Sequence, residues 1–156
     1  MIDILEITET QPRPAAVIHV TVPRHEIRTV MPVAIREVLS TLASQGIAPA
    51  GPLFDHHLKT SERTFDFEVG FPIASAVKPA GRVMNGELPG GRIARAVMRG
   101  DYEGLSGAWV EFHEWMKREG HMSRGDFWQI FAAGPESSPD PANWRTELCL
   151  PLKPID

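Results

Sequence analysis

Residues 46–54 read GIAPAGPLF, and residues 120–128 read GHMSRGDFW. In both stretches two glycines stand five residues apart before a closing apolar pair, so the second copy lies 74 positions after the first. Each stretch leads to a strand with a shared signature, EVGFPI at residues 68–73 and ELCLPL at residues 147–152, which are 79 positions apart. The loop-like segment 134–143, GPESSPDPAN, accounts for the five additional residues. The chain is therefore predicted to be a strand–helix–strand–strand unit written twice.

Two windows have the apolar spacing of one helical face. Residues 30–45 end before Gly46, and residues 101–119 end before Gly120. Glycine commonly follows the last turn of a helix, and Asp101 is a suitable N-cap for the second one. We therefore predict two helices with these bounds.

The remaining apolar residues alternate as they do in strands. The predicted strands are residues 2–8, 15–22, 65–71, 92–98, 127–131 and 146–152. Residues 17–22 and 93–98 precede the two helices and are expected to correspond. These elements predict an α+β fold built from a duplicated β-α-β-β unit with pseudo-twofold symmetry.

The chain has 156 residues and a mass of 17.3 kDa, which fits one domain, residues 1–156, with half-repeats of about 1–88 and 89–156. Sixteen Lys and Arg against 20 Asp and Glu give a net charge of −4, which argues against direct nucleic-acid binding. The hydrophobic fraction of 42% is that of a globular protein. No apolar run approaches the roughly 18 residues of a membrane span.

The start of the chain alternates acidic and apolar residues, unlike a secretory signal, and we expect a cytoplasmic protein. The first strand begins within a few residues of Met1, so the sequence predicts a stand-alone domain without a helix-turn-helix. Cys149 is the single cysteine, which excludes an intrachain disulfide.

Strand alternation predicts which side chains share the sheet face turned away from the helices. In residues 65–71 and 146–152 the apolar side chains point toward the helices, which leaves Glu68 and Glu147 on the other face. Trp128 is expected to point toward the helices. Gln129 and Phe131 are expected on the opposite face, and the repeat places Asp55 and His57 there as well.

Two similar halves commonly form a concave ligand site where they meet, so this face is the candidate ligand-binding surface. The alternative is a solvated sheet face with incidental carboxylates.

Neither a metal ion nor a cofactor is expected. None of the six histidines has the helical i, i+4 spacing of a zinc motif, and His56 and His57 would point to opposite faces of a strand. The glycine-containing segments 89–91 and 100–104 lack the phosphate-loop lysine and the dinucleotide spacing, and we interpret them as turns.

Six fragments, in this order, resemble the GyrI-like small-molecule-binding domains, which also occur as effector-binding domains of AraC-type and MerR-type multidrug regulators. The fragments are AGPLF (50–54), FDFEVGFP (65–72), LPGG (88–91), AVMRGDYE (96–103), WQIF (128–131) and RTEL (145–148) with Pro151. The resemblance implies a curved antiparallel sheet with two helices on one face and a cleft for lipophilic, aromatic or cationic compounds.

The resemblance also implies roles for individual residues. Multidrug-binding relatives carry a Trp-Glu-Ile-Tyr pattern whose acid contacts the ligand, and here Gln129 and Phe131 replace its acid and its phenol. An amide can orient a polar ligand but supplies no charge for a cation. Tyr102 matches the family's Gly-x-Tyr and would point its hydroxyl at the ligand or cap the helix start. Trp109 is the candidate aromatic wall.

Three functions stay open at this point. The first is a small-molecule-binding module that sequesters a toxic compound or passes a ligand signal to a protein partner. The second is a small hydrolase of electrophilic, cyclopropane-type natural products, with Glu68 or Glu147 as the base and Tyr102 as the acid. The third is a protein-interaction module of the gyrase-inhibitor type. A homodimer is compatible with each.

Overall fold

Eight strands and two helices form the regular structure of residues 2–154, the part of the chain that the computed structural model describes. The strands are β1 (Ile2–Thr10), β2 (Arg13–Pro23), β3 (Phe54–Thr60), β4 (Thr64–Pro72), β5 (Met84–Leu88), β6 (Gly91–Arg99), β7 (Phe127–Ala133) and β8 (Arg145–Pro151). The helices are α1 (Ile27–Ser44) and α2 (Leu105–Arg118). The predicted α+β fold is confirmed. Neither helix is long and apolar enough to cross a membrane.

The chain divides into two units. The first unit comprises residues 11–89, and the second unit comprises residues 90–154 together with residues 2–10. Strand β1 therefore groups with the second unit, although residues 1–88 were expected to form the first half-repeat. The change of unit after Pro89 falls where the sequence placed the repeat boundary.

In the first unit the strand order is β3-β4-β2-β5, and every pairing is antiparallel. Helix α1 buries Ala34, Val38 and Leu42 against one face of this sheet, where Phe67 and Val69 of β4 lie. The prediction that alternate apolar residues of β4 face the helix is confirmed.

In the second unit the order is β7-β8-β6-β1, again antiparallel. Helix α2 buries Ala108, Phe112 and Met116 against Leu148 and Leu150 of β8. Each of these three helix residues lies 74 positions after its counterpart in α1, the offset of the two glycine segments. The two units therefore repeat the element order, the internal strand order and the buried helix positions.

The strand register corrects one detail of the predicted repeat. Ala15 lies opposite Pro72 in the first unit, and Ile93 lies opposite Pro151 in the second. Ala15 is therefore the counterpart of Ile93, which shifts the expected alignment of residues 17–22 with 93–98 by two residues. Apolar alternation alone could not detect this shift, because a displacement of two residues returns every side chain to the same face.

The helix starts also differ from the prediction. Helix α1 begins at Ile27, three residues before the expected start at Val30. Asp101 caps a turn of 3₁₀ helix, where its carboxylate accepts a hydrogen bond of 3.0 Å from the backbone N–H of Glu103, and α2 begins at Leu105. A 3₁₀ turn often precedes an α-helix.

Candidate functional site

The side chains of β7 have the opposite orientation to the predicted one. Directly opposed residues in an antiparallel pair share a sheet face. Gln129 lies opposite Leu148, which packs under α2, whereas Trp128 lies opposite Cys149 on the other face. Gln129 therefore faces the helix, and Trp128, which is 1% exposed, is buried on the face away from it. The prediction that Trp128 points toward the helices is wrong.

The same correction applies to β3 in the first unit. Asp55 lies opposite Val69, and His57 lies opposite Phe67, so both acid and imidazole face α1. Glu68 lies opposite His19 on β2 and therefore has the other orientation.

The predicted ligand face is thus divided. Asp55, His57 and Gln129 share the helix-facing sides of their own units, and Glu68 and Glu147 lie on the sides away from the helices. The error arose in β7 and was carried to β3 by the repeat. The physical cause of the error is that both faces of these strands are buried. The size of a side chain therefore does not indicate which face of the strand is turned toward the helix.

An aromatic cluster surrounds Gln129 in the second unit. The indole Nε1–H of Trp109, on α2, donates a hydrogen bond of 2.8 Å to the side-chain oxygen of Gln129. The Trp109 ring also packs against Phe127 with 4.7 Å between centroids. Trp109 is half-buried and Gln129 is only 7% exposed, so the amide is held against the helix by an aromatic donor.

A second aromatic group centres on Tyr102, which precedes α2. Its ring lies 5.1 Å from the ring of Trp144 and 5.7 Å, edge to face, from that of Phe131. Trp144 is fixed in turn, because its indole N–H donates a hydrogen bond of 2.9 Å to the carbonyl of Ser138. The predicted residues Tyr102 and Phe131 are therefore in contact, and Trp144 joins them from the segment before β8.

The inserted loop adds a carboxylate that sequence reasoning missed. A Cβ placed on the buried Gly134 would lie 2.6 Å from the Tyr102 hydroxyl oxygen and 2.8 Å from a carboxylate oxygen of Glu136. Both oxygens therefore converge above the glycine. Burial, and then the charges of Glu136 and Asp101, raise the pKa of Tyr102, so the phenol stays protonated over a wider pH range. The available signal was the position of Gly134 and Glu136 directly after the WQIF strand.

The corresponding part of the first unit has a different chemistry. His57 stacks on Phe67 at 5.2 Å and meets Phe65 edge-on at 5.5 Å. Its Nε2 lies 3.5 Å from the Asp55 carboxylate, and the two side chains are 5% and 2% exposed. The guanidinium of Arg24 lies 4.5 Å from the centroid of Phe65. Here an acid and an imidazole occupy the positions that Gln129 and Phe131 hold in the second unit.

On the faces away from the helices, the carboxylates are paired. Glu147 accepts a hydrogen bond of 2.7 Å from Arg95, which also donates one of 3.0 Å to Glu6. Burial lowers the pKa of Arg95, but the hydrogen bonds and charges of the two glutamates outweigh this effect and raise it overall. The Glu147 carboxylate is thus committed to an arginine, an arrangement that does not favour a general base.

Cys149 is buried in the second unit. Burial is the main cause of a strongly raised pKa for Cys149, which keeps the thiol protonated. Within residues 2–154, no three His, Cys, Asp or Glu side chains converge as metal ligands would.

Comparisons with solved structures agree with this architecture. The C-terminal domain of EcmrR superposes with a TM-score of 0.82 at 16% identity, covering 97% of this chain and 98% of that one. In the EcmrR–DNA complex the TM-score is 0.79 at 18% identity, and the match covers 97% of this chain but only 57% of that longer chain. No curated protein sequence matches.

Two further structures have the same fold. SAV2435 bound to tetraphenylphosphonium matches with a TM-score of 0.69 at 10% identity, over 97% of this chain and 94% of that one. A structure described as a hydrolase from Listeria innocua matches with a TM-score of 0.61 at 12% identity, over 96% and 91%. At these identities the likeness is one of fold alone. Residues 5–153 match the family described as the GyrI-like small molecule binding domain, and the chain belongs to that family.

Proposed function

We propose that this chain binds a lipophilic, aromatic small molecule against the aromatic residues around β7 of its second unit. The observation that carries the proposal is the pair of half-buried aromatic groups around β7, one at Trp109 and one at Tyr102. Partly exposed rings fixed by hydrogen bonds offer flat apolar area at little cost in conformational entropy. The buried amide of Gln129 supplies a polar group that orients a ligand.

The environment of Glu147, one of the two candidate bases, favours binding over hydrolysis. Glu147 is paired with Arg95 and faces away from α2, whereas a general base in this role should be unpaired and have a raised pKa. In the cell the bound compound would be sequestered or would signal to a protein partner. SAV2435, which has the same fold, binds tetraphenylphosphonium, and this makes that compound a suitable first probe.

The test is calorimetric titration of tetraphenylphosphonium into the native chain and into variants of the two aromatic groups. A well-buried ring contributes roughly 1.5–3 kcal/mol, so Trp109→Ala and Tyr102→Ala should each weaken binding by about tenfold or more. Trp109→Phe and Tyr102→Phe keep a ring and should lose less.

Val110→Ala is the matched control, because Val110 lies on the same helix and is 59% exposed. It should bind as the native chain does. Thermal unfolding of each variant separates a lost contact from a lost fold. The proposal would be contradicted if folded Trp109→Ala and Tyr102→Ala bound the probe with native affinity. It would also be contradicted if Val110→Ala weakened binding as much as they do.

A further inference from the structure

A basic cavity lies in the second unit, apart from the aromatic groups. Its volume is about 290 Å³. It is lined by Gly90, Gly91, Arg92, Arg124, Pro151, Leu152, Lys153 and Pro154. Three exposed cationic residues, Arg92, Arg124 and Lys153, thus line one cavity from three separate segments: the start of β6, the connection between α2 and β7, and the residues after β8.

Backbone hydrogen bonds fix these three segments to one another. The Leu152 N–H donates to the carbonyl of Arg92 at 3.1 Å, and the Arg124 N–H donates to the carbonyl of Pro151 at 2.9 Å. The Lys153 N–H donates to the carbonyl of Met122, also at 2.9 Å. These hydrogen bonds form a backbone frame that fixes the positions from which the side chains of Arg92, Arg124 and Lys153 extend.

The first unit has the same frame without these charges. Its Ala50 N–H donates to Pro72 at 2.7 Å, and its Ile73 N–H donates to Pro14 at 2.9 Å. By the repeat and the strand register, Pro14, Ala50 and Ala74 are the counterparts of the three cationic residues. The first unit has one cation at this frame, Arg13, whose guanidinium donates a hydrogen bond of 2.8 Å to the carbonyl of Ala50. The frame therefore forms without a cation at the positions equivalent to Arg92, Arg124 and Lys153, and folding does not explain the charges found there.

Among residues 2–154, the carboxylates near the cavity are fewer than its cationic residues. Asp126 accepts two hydrogen bonds of 3.0 Å from Arg124, which orient the guanidinium and raise its pKa. Glu9 lies opposite Arg92 in the strand register. Yet the salt bridges found in residues 2–154 include neither Arg92 nor Lys153.

We propose that this cavity binds the phosphate group of a small molecule. The fork of the Arg92 guanidinium matches a pair of phosphate oxygens, and Lys153 adds a mobile point charge. Arg124, whose Nε and Nη2 donate to Asp126, contributes its remaining N–H groups. Gly90 and Gly91 place no side chain at the cavity wall, so an oxyanion can approach the backbone there. The volume is sufficient for a compact diphosphate. This site is independent of the aromatic site, since the two share no residue.

The experiment is an NMR titration of the amide-labelled chain with pyrophosphate at low salt. Chemical-shift changes should concentrate at the amides of residues 90–92, 122–125 and 152–153. Arg92→Ala and Lys153→Ala should each weaken binding on the order of tenfold, since each removes a charge-assisted contact. Arg124→Ala introduces the alanine that the first unit has at the corresponding position, Ala50. This further variant is therefore expected to keep the frame.

Arg118→Ala and Lys117→Ala are charge-matched controls on the exposed surface of α2, and they should change the affinity less than about twofold. Citrate provides the carboxylate arm and should bind at least about tenfold more weakly than pyrophosphate. Equal losses in the control variants would reveal diffuse attraction to positive charge and overturn the site. Equal affinity for citrate would overturn the assignment to phosphate.

Discussion

The two units share a backbone plan but differ in their side chains, most clearly on the strand that follows each helix. Strand β3 directs Asp55 and His57 toward α1, and β7 directs Gln129 toward α2. The helices differ in the same place, because the residue 74 positions before Trp109 is Ile35, which brings no ring. The two units therefore share the sheet order and the buried helix positions, and their chemistry differs where the strand that follows each helix, β3 or β7, faces that helix.

The largest difference that the comparison predicts concerns Gly70 and its counterpart Cys149. Gly70 lies opposite Val17 and Phe54, and a Cβ added to it would stand 1.9 Å from the carbonyl oxygen of Ala16. The backbone of the neighbouring strand cannot move aside as the end of a flexible side chain can. Gly70→Ala should therefore lower the free energy of unfolding by about 3 kcal/mol or more, measured by urea denaturation.

Cys149→Ala is the control, because the counterpart strand already accommodates a side chain at that position. It should cost about 1 kcal/mol, the loss of one small buried group. Equal costs for Gly70→Ala and Cys149→Ala would mean that the two strands are packed alike, and the divergence of the units would have to be sought elsewhere.

The sequence predicted the fold better than the site, for a physical reason. Leu148 and Leu150 alternate with more polar residues, so the period of two identified their helix-facing side. Trp128 is 1% exposed and Phe54 is fully buried, yet both lie on the face away from the helix of their unit. Where a strand is covered on both faces, hydrophobicity no longer distinguishes them.

Glu136 was missed for a different reason. Its position depends on the backbone path of the inserted loop, which folds the carboxylate back over Gly134 toward Tyr102. Composition identifies a segment rich in Pro, Ser and Gly as a loop, but it does not predict where the side chains of that loop point.

The next prediction concerns Gln129→Glu, which places an acid in the second unit where the first unit has Asp55. Gln129→Glu keeps an oxygen that can accept the indole hydrogen bond of Trp109 and adds a negative charge. A charged acceptor is worth about 1 kcal/mol more than a neutral one, so an aromatic cation should bind on the order of tenfold more tightly. The measurement compares (4-hydroxymethylphenyl)trimethylammonium with its neutral isostere, 4-tert-butylbenzyl alcohol.

Burial of the new acid sets the pH of this measurement. A carboxyl group that is mostly excluded from water has a raised pKa, so the gain should be larger at pH 8.5 than at pH 6. Gln129→Met, of similar size but without a charge, is the control and should give the cation no advantage. If the cation gains nothing over the neutral isostere even at pH 8.5, position 129 does not contact the ligand.

The smallest effect tests the feature that the first unit lacks altogether, the loop carboxylate beside the tyrosine. Tyr102 is the single tyrosine of the chain, so the absorbance change near 295 nm between pH 8 and pH 12 reports its ionisation alone. The negative charge of Glu136 disfavours the phenolate, and Glu136→Gln removes it. The pKa of Tyr102 should therefore fall, and the phenol should ionise at lower pH than in the native chain. Burial, the larger cause, persists in the variant, so part of the elevation should remain.

Glu103→Gln is the matched control for this titration, because Glu103 follows Tyr102 directly and is exposed but does not contribute to its raised pKa. Circular dichroism over the same pH range ensures that the folded chain is being titrated. A fall in Glu136→Gln without one in Glu103→Gln places the loop carboxylate at the phenol, where it can supply the charge that Gln129 lacks. Identical titration curves for the native chain and Glu136→Gln would place Glu136 away from the phenol, and the inserted loop would then supply no charge to the aromatic group around Tyr102.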